Sequence, residues 1–402
     1  MKRKDIPASG VLTKLRVLVS GGAIAAPVGG CILAEWGADV ITIETPNSPD
    51  MYRAWKYAWP ADRRNVRNIV LNMFSDEGKK IMEKLIPQMD IIIESSRGGT
   101  WAKNGFSDER LWELNPKLVI AHISGFGQYG VPELIKKASY DPIGQAFSGY
   151  GLVNGDKDGL PYFPVPMVSD YLTTLTTISS CLAAYINAQD TGKGESLDLA
   201  QYEVALRYMS DYANHCFNEG LQSNDVRLPV SGKASAMFKT KDGKWRYVNA
   251  APNYYWLLLE KLGVSRDDPR IKQKDFIYWP AGSYEFNEIF HVEMEKYAAT
   301  HTAAEIDELA ISCKALVGQF MEFTEMLEHP HYIARKDIIE YYDDTLKKDV
   351  KVVAPTPKFT NYPQTIWRGG PTRGMDNDDV MEELGYSPEE IQAFYDSKTI
   401  SK

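Results

Sequence analysis

Leu15-Arg-Val-Leu-Val-Ser-Gly-Gly-Ala-Ile-Ala-Ala-Pro-Val-Gly-Gly-Cys-Ile-Leu-Ala-Glu-Trp-Gly-Ala-Asp-Val-Ile-Thr-Ile-Glu44 reads as strand, turn, helix and strand. The apolar run Leu15-Arg-Val-Leu-Val19 stops at Ser20-Gly21-Gly22, a helical pattern covers 28–36, and Gly37-Ala38 leads into a second apolar run, 39–44. Short apolar runs joined by a helical stretch argue for βαβ units around a parallel sheet, with the functional loops at the strand C-termini. The rhythm continues with Ile69-Val-Leu71, a helix over 77–87, Asp90-Ile-Ile-Ile-Glu94 and Leu118-Val-Ile-Ala-His-Ile-Ser124. The expected fold class is therefore α/β, a Rossmann-like large domain.

Further along, a buried helix over 172–187 closes at the turn Asp190-Thr-Gly-Lys-Gly194, a strand follows at 195–199, and 201–216 reads as one long helix. Polar, Pro and Gly residues at 220–234 mark a linker. Lys241-Asp-Gly243 between two alternating runs signals a hairpin. Helical patterns at 254–262, 285–298, 303–311 and 322–327 complete a smaller α+β domain. The expected organisation is a large-domain part over residues 1–219, the linker 220–234, a small domain over 235–330, and a return to the large domain over 331–402. Within that return Lys351-Val-Val-Ala-Pro is extended, and Ser387-Pro-Glu-Glu390 opens a helix with Pro at its first position.

A chain of 402 residues has room for two or three cores. The net charge of -9 comes from interspersed charges with no domain-sized basic face, which argues against nucleic acid as a partner. Cys31, Cys181, Cys216 and Cys313 lack paired spacing and read as reduced thiols, not a disulfide frame or a zinc site. His329-Pro-His331 has no third ligand nearby, so no metal is expected. No signal-peptide run follows Met1-Lys-Arg-Lys, and no apolar stretch reaches about 18 residues, so the expectation is a cytoplasmic protein with no membrane partner.

The chemistry centres on Asp170. In Phe163-Pro-Val-Pro-Met-Val-Ser-Asp170-Tyr-Leu-Thr-Thr-Leu it sits where a proline-stiffened approach meets a long apolar helix, with Ser169 or Asp170 as the cap. Free N–H groups at a helix start favour negative charge, so a carboxylate there is expected to stay ionised and to suit nucleophilic attack; a plain helix-capping acid is the structural alternative.

Several segments resemble the class III CoA-transferases, the family of the formyl-CoA, carnitine and bile-acid enzymes. They are Ser20-Gly-Gly-Ala-Ile-Ala-Ala-Pro27, 34–44, Asn115-Pro-Lys through Gly125-Phe-Gly-Gln-Tyr-Gly130, Tyr140-Asp-Pro-Ile-Gly-Gln-Ala-Phe-Ser-Gly149, Thr191-Gly-Lys-Gly-Glu-Ser-Leu-Asp198, and Ile366-Trp-Arg-Gly-Gly-Pro371 through Asp376. The resemblance covers essentially the whole chain and is nearest the carnitine and bile-acid members. It implies Asp170 as nucleophile, passing through an aspartyl–acyl anhydride and an aspartyl–CoA thioester, with coenzyme A as co-substrate and no permanently bound cofactor. It implies an acyl site bordered by Gly125, Gly127, Tyr140 and Gln145, and an interlocked homodimer. Arg97 and Lys103 match its phosphate-binding positions, although Asn104 stands where a second basic residue is expected. Arg53, Arg63 and Arg64 are further candidates for the nucleotide end, because arginine forks fit phosphate oxygens. The aromatic group Tyr52, Trp55, Tyr57 and Trp59 suits either a quaternary ammonium pocket or interface packing.

Two enzymatic rivals stand against this. A dehydrogenase requires G-x-G-x-x-G after the first strand, which 21–27 lacks. An acyl-CoA racemase of the same superfamily carries a histidine base where this chain has Tyr140. A non-catalytic acyl-CoA binder is the third alternative. The expected substrates are an acyl-CoA and a small carboxylic acid, either carnitine-like, a steroid carboxylate, or a 2-hydroxy or 2-enoic acid of fermentation, with a slight lean to the last class.

Overall fold

The computed structural model describes residues 1–154, 159–222, 235–250, 252–270 and 284–402. These form two compact units: Met1–Gly151 with Phe163–Ala213 and Ile333–Lys402, and Leu152–Tyr162 with Asn214–Tyr332. The linker expected at 220–234 lies mostly outside the described residues.

The first unit is built on six strands: β1 (Arg16–Ser20), β2 (Asp39–Glu44), β3 (Arg67–Val70), β4 (Ile91–Glu94), β5 (Val119–Ser124) and β6 (Glu195–Ala200). Every neighbouring pair is parallel, in the order β3-β2-β1-β4-β5-β6. β1 to β5 are buried along their whole length, as a sheet covered on both faces requires. One face packs Ile41, Ile69, Ile81, Leu85 and Ile120 against the C-terminal Val380, Met381 and Ile391. The other packs Val17, Val40, Ile93 and Ala121 against Leu33, Ile178 and Cys181. The strand order reverses between β1 and β4, where an open parallel sheet leaves a crevice at its carboxyl edge.

Two helices cover that second face. The helix Ala25–Glu35 lies against Val168–Thr191 so closely that a Cβ on Gly29 would sit 3.8 Å from both Ile178 and Thr174. The latter helix carries a threonine ladder. The hydroxyls of Thr173, Thr174, Thr176 and Thr177 donate to the carbonyls four residues earlier at 2.8–3.0 Å, which satisfies polar groups that would be costly to bury unpaired. It ends at Gly192, whose φ of 75° is the left-handed cap that glycine adopts readily. The segment read as one helix over 201–216 is two, Gln201–Arg207 and Asp211–Glu219, separated by Ser210 at φ 49°.

The C-terminal stretch belongs to this same unit. A hairpin of β10 (Ile338–Asp343) and β11 (Lys348–Val353), numbered after the second unit's strands, precedes a segment that stitches the chain to β3. Asp376, fully buried, pairs with Arg368 at 2.7 Å and accepts from the Asn68 N–H at 2.7 Å. Burial alone would raise its pKa, but Arg368 outweighs that and holds the carboxyl below its ordinary range. Ser387 and Glu390 form a reciprocal capping box on the last helix.

The second unit carries an antiparallel sheet of β7 (Ser235–Lys239), β8 (Trp245–Asn249) and β9 (Leu316–Gln319). Its core joins Phe238, Val248, Leu258, Phe290, Met294 and Ile306. No described helix is long and apolar enough to cross a membrane, and no group of three potential metal ligands exists among the described residues.

Candidate active site

A cavity of about 700 Å³ opens at the carboxyl ends of β1, β2, β4 and β5, at the point where the strand order reverses. Asp170 lies in its wall, 8% exposed. The residue is neither a cap nor adjacent to one. The N-cap is Met167, which makes no side-chain cap bond, and Ser169 and Asp170 are inside the first turn. Their N–H groups are taken instead by a distant carboxylate. Asp141 Oδ1 accepts from Ser169 N at 2.8 Å, Ser169 Oγ at 2.8 Å and, more weakly, Asp170 N at 3.3 Å.

This arrangement corrects the expectation of an ordinary ionised carboxylate. Burial first, and then the negative charge of Asp141, push the Asp170 pKa up to about 7, against an opposing pull from the Gln201 amide. The free N–H groups that were expected to favour the Asp170 charge are spent on Asp141. Near neutral pH the side chain is thus divided between acid and carboxylate.

Gln201, at the start of the helix that follows β6, lines the cavity and donates its Nε2–H to Asp170 Oδ1. Its Oε1 accepts from Ser139 Oγ at 3.0 Å, which fixes the direction of the amide. Gly144 presses on the same side chain: a Cβ there would lie 2.9 Å from Gln201 Cδ. Gly125 does the same for Ser139, since its Cβ would come within 2.2 Å of Ser139 Cβ.

The residues named from sequence divide clearly. Tyr140, Gly125 and Arg97 line the cavity with Asp170; Gly127 and Lys103 do not. Gln145 is fully buried, does not line the cavity, and donates one N–H to Asp141 Oδ2 at 2.6 Å, which serves to hold Asp141. Three arginines are committed elsewhere. Arg63 pairs with Asp50 at 2.8 Å and Arg64 with Glu35 at 2.5 Å, all four side chains buried. Arg53 meets Glu44 at 2.5 Å and the Pro371 carbonyl at 3.1 Å. Arg63 and Arg64 each balance an acid that would otherwise be buried without a cation, and Arg53 shares Glu44 with Arg373, 4.0 Å away, a strong demand on a guanidinium. Arg97 and Lys137, both exposed on the cavity rim, have no carboxylate partner among the described residues.

Two of the four aromatic residues, Tyr52 and Trp59, are buried and accounted for within the chain, while Trp55 and Tyr57 are exposed. The Arg63 guanidinium lies 4.7 Å from the Tyr52 ring, and that of Arg53 lies 3.8 Å from Trp59. These ring faces already hold cations. Asp141, Gln201 and Lys137 were not singled out from sequence; the first two stand 29 and 31 residues from Asp170, and no local pattern links them to it.

Beneath the rim, His122 on β5 is held between Glu94 Oε1 at 2.7 Å and Asp108 Oδ1 at 2.9 Å. Burial alone would lower its pKa, but the two carboxylates outweigh this and push it up to about 9. Glu94 in turn accepts from Ser96 N at 2.8 Å, which fixes the loop carrying Arg97.

The family model described as CoA-transferase family III matches residues 12–377. A bile acid CoA-transferase, BaiK of Clostridium scindens, is 38% identical over 398 residues, covering 97% of this chain and 89% of that protein. Among solved structures, a CAIB/BAIF family protein from Brucella suis superposes with a TM-score of 0.75 at 22% identity, covering 94% of this chain and all of that one. The orthorhombic form of Rv3272 from Mycobacterium tuberculosis gives 0.77 at 20%, covering 92% and 99%. At those identities the structures speak for the fold. The family match over most of the sequence and the 38% relative speak for the activity, so this chain belongs to CoA-transferase family III and is a transferase with coenzyme A as co-substrate.

Proposed function

We propose that the protein moves CoA from an acyl-CoA to a free carboxylic acid through covalent intermediates on Asp170. The observation that carries this reading is a buried carboxyl with a pKa near neutrality in the wall of a crevice at the strand reversal. Asp170 Oδ2 attacks the thioester carbon; the carbon–sulfur bond breaks, and CoA thiolate leaves an aspartyl–acyl anhydride. The thiolate then attacks Asp170 Cγ, expelling the donor's acid and leaving an aspartyl–CoA thioester. The acceptor carboxylate reverses both steps. A thioester is exchanged for a thioester, so the overall reaction is nearly isoenergetic and the protein must supply mainly an activated carboxylate and a place for the transient oxyanion.

Arg97 and Lys137 are the cations we assign to the CoA phosphates, in place of Arg53, Arg63 and Arg64. The likeness to a bile acid CoA-transferase supports a steroid-type carboxylate as acceptor, ahead of the 2-hydroxy or 2-enoic acids read from the sequence. The covered faces of Tyr52 and Trp59 weigh against a carnitine-like quaternary ammonium. The racemase alternative lacks support, since no described residue lining the cavity is a histidine. We read the assembly as the homodimer that the family resemblance implies. One labelled acyl-CoA offered to a steroid acid, a 2-hydroxy acid, a 2-enoic acid and carnitine, with Asp170→Ala as control, tests the proposal. Transfer retained by the control would contradict it.

A further inference from the structure

We infer that Gln201 is a catalytic residue, the donor that stabilises the oxyanion formed on Asp170 itself. The inference rests on the covalent route proposed above. Every such route contains two kinds of addition. One is at the acyl carbon of the substrate; the other is at Asp170 Cγ, when thiolate attacks the anhydride or a carboxylate attacks the aspartyl thioester. In the second kind the electron pair of the Cγ–Oδ1 double bond moves onto Oδ1 as the Cγ–S bond forms. It returns when the Cγ–Oδ2 bond breaks and the acid departs. Oδ1 is the oxygen that Gln201 Nε2 already contacts.

Three features make that donor preorganised. Ser139 Oγ donates to Gln201 Oε1 at 3.0 Å while the Asp170 carboxylate accepts from Nε2, so turning the amide over would set its oxygen against a carboxylate oxygen. Gly144 lets the side chain lie directly against its backbone, in space that a Cβ there would claim at 2.9 Å from Cδ. Gln201 is 5% exposed, so water does not readily replace it. A donor fixed before the charge develops, in a site shielded from water, is the arrangement that stabilises a tetrahedral oxyanion most. The same bond leaves Oδ2 as the oxygen free to attack, which gives the two carboxylate oxygens separate roles.

The consequence is a division between half-reactions. Gln201→Met conserves length and removes the donor. With acyl-CoA and no acceptor, at a pH well above 7, it should keep the first release of CoA from the substrate but slow conversion to the CoA adduct by about 10²–10³-fold. Rapid-quench mass measurement of the intact protein separates the two species, because one carries the acyl group and the other carries CoA. Wild-type protein should accumulate the CoA adduct, and Gln201→Met the acyl adduct. Ser139→Ala, which frees the amide without removing it, should show the same change in smaller measure. A CoA adduct forming at the wild-type rate in Gln201→Met would overturn the inference, and so would a loss of the initial CoA release, because either places the residue outside the aspartyl-centred step. Absence of any adduct on Asp170 in wild-type protein would instead dismiss the covalent route, a distinct failure.

Discussion

Replacing Asp141 with asparagine should make the transferase work at lower pH. Asp170 must be ionised to attack, and its pKa of about 7 means that the rate rises as pH increases through 7 and levels above it. At pH 6 only about a tenth of the wild-type molecules carry the carboxylate. Burial is the larger cause of the elevation and the Asp141 charge the next, so removing that charge should recover less than half of it, on the order of one pH unit. A limb near 6 would leave about half of the molecules ionised at pH 6, a gain of about fivefold relative to the plateau. The substitution is mild. Asparagine keeps Oδ1 for the Ser169 N–H and Oγ, and the amide that replaces Oδ2 meets Gln145, whose Oε1 is buried without a partner and accepts once that side chain turns over. The assay is the pH dependence of kcat/KM with one acyl-CoA and saturating acceptor. A limb that stays at 7 or moves upward would refute the proposed coupling of the two carboxyls.

Other outcomes follow from the same contacts. Asp170→Asn should abolish transfer yet stabilise the fold: the folded pKa lies above the unfolded value near 4, so the destabilising ionisation is absent below pH 4, grows to pH 7 and is complete above it. Thermal unfolding should show a gain of a few kcal/mol at pH 8 and almost none at pH 4. The folded pKa of His122 is raised as well, but there the charged form is the stabilised one: it contributes stability in full below about 6.5 and loses it as pH rises through about 9, and His122→Gln should flatten that part of the stability profile. Arg64→Ala leaves Glu35 buried without its cation and should cost about 3–5 kcal/mol in denaturant unfolding, while Arg97→Ala should leave stability unchanged and raise KM for acyl-CoA severalfold.

The layered fold was readable because parallel strands buried on both faces appear as short unbroken apolar runs, and β1, β2, β4 and β5 fall within a residue or two of the runs quoted. The helix Val168–Thr191 is longer than its apolar pattern indicated, because its buried threonines look polar in sequence and become compatible with burial only through their own backbone bonds. Asp170 stood out for a local reason, the change from a proline-stiffened approach to a helix. Its two partners did not, because Asp141 and Gln201 reach it through the packing of other helices. The arginines show the converse. Arg63 and Arg64 in sequence look like phosphate ligands, and only the fold reveals that Asp50 and Glu35 hold them.

The mechanism turns on a covalent bond to one carboxyl group. Incubating wild-type protein with acyl-CoA and hydroxylamine, then sequencing its peptides by mass spectrometry, addresses that bond directly. A hydroxamate on Asp170 is expected, formed only when acyl-CoA is present and formed more slowly in Gln201→Met, where attack at Asp170 Cγ lacks its donor. A protein that turns over fully while Asp170 remains unmodified would contradict it.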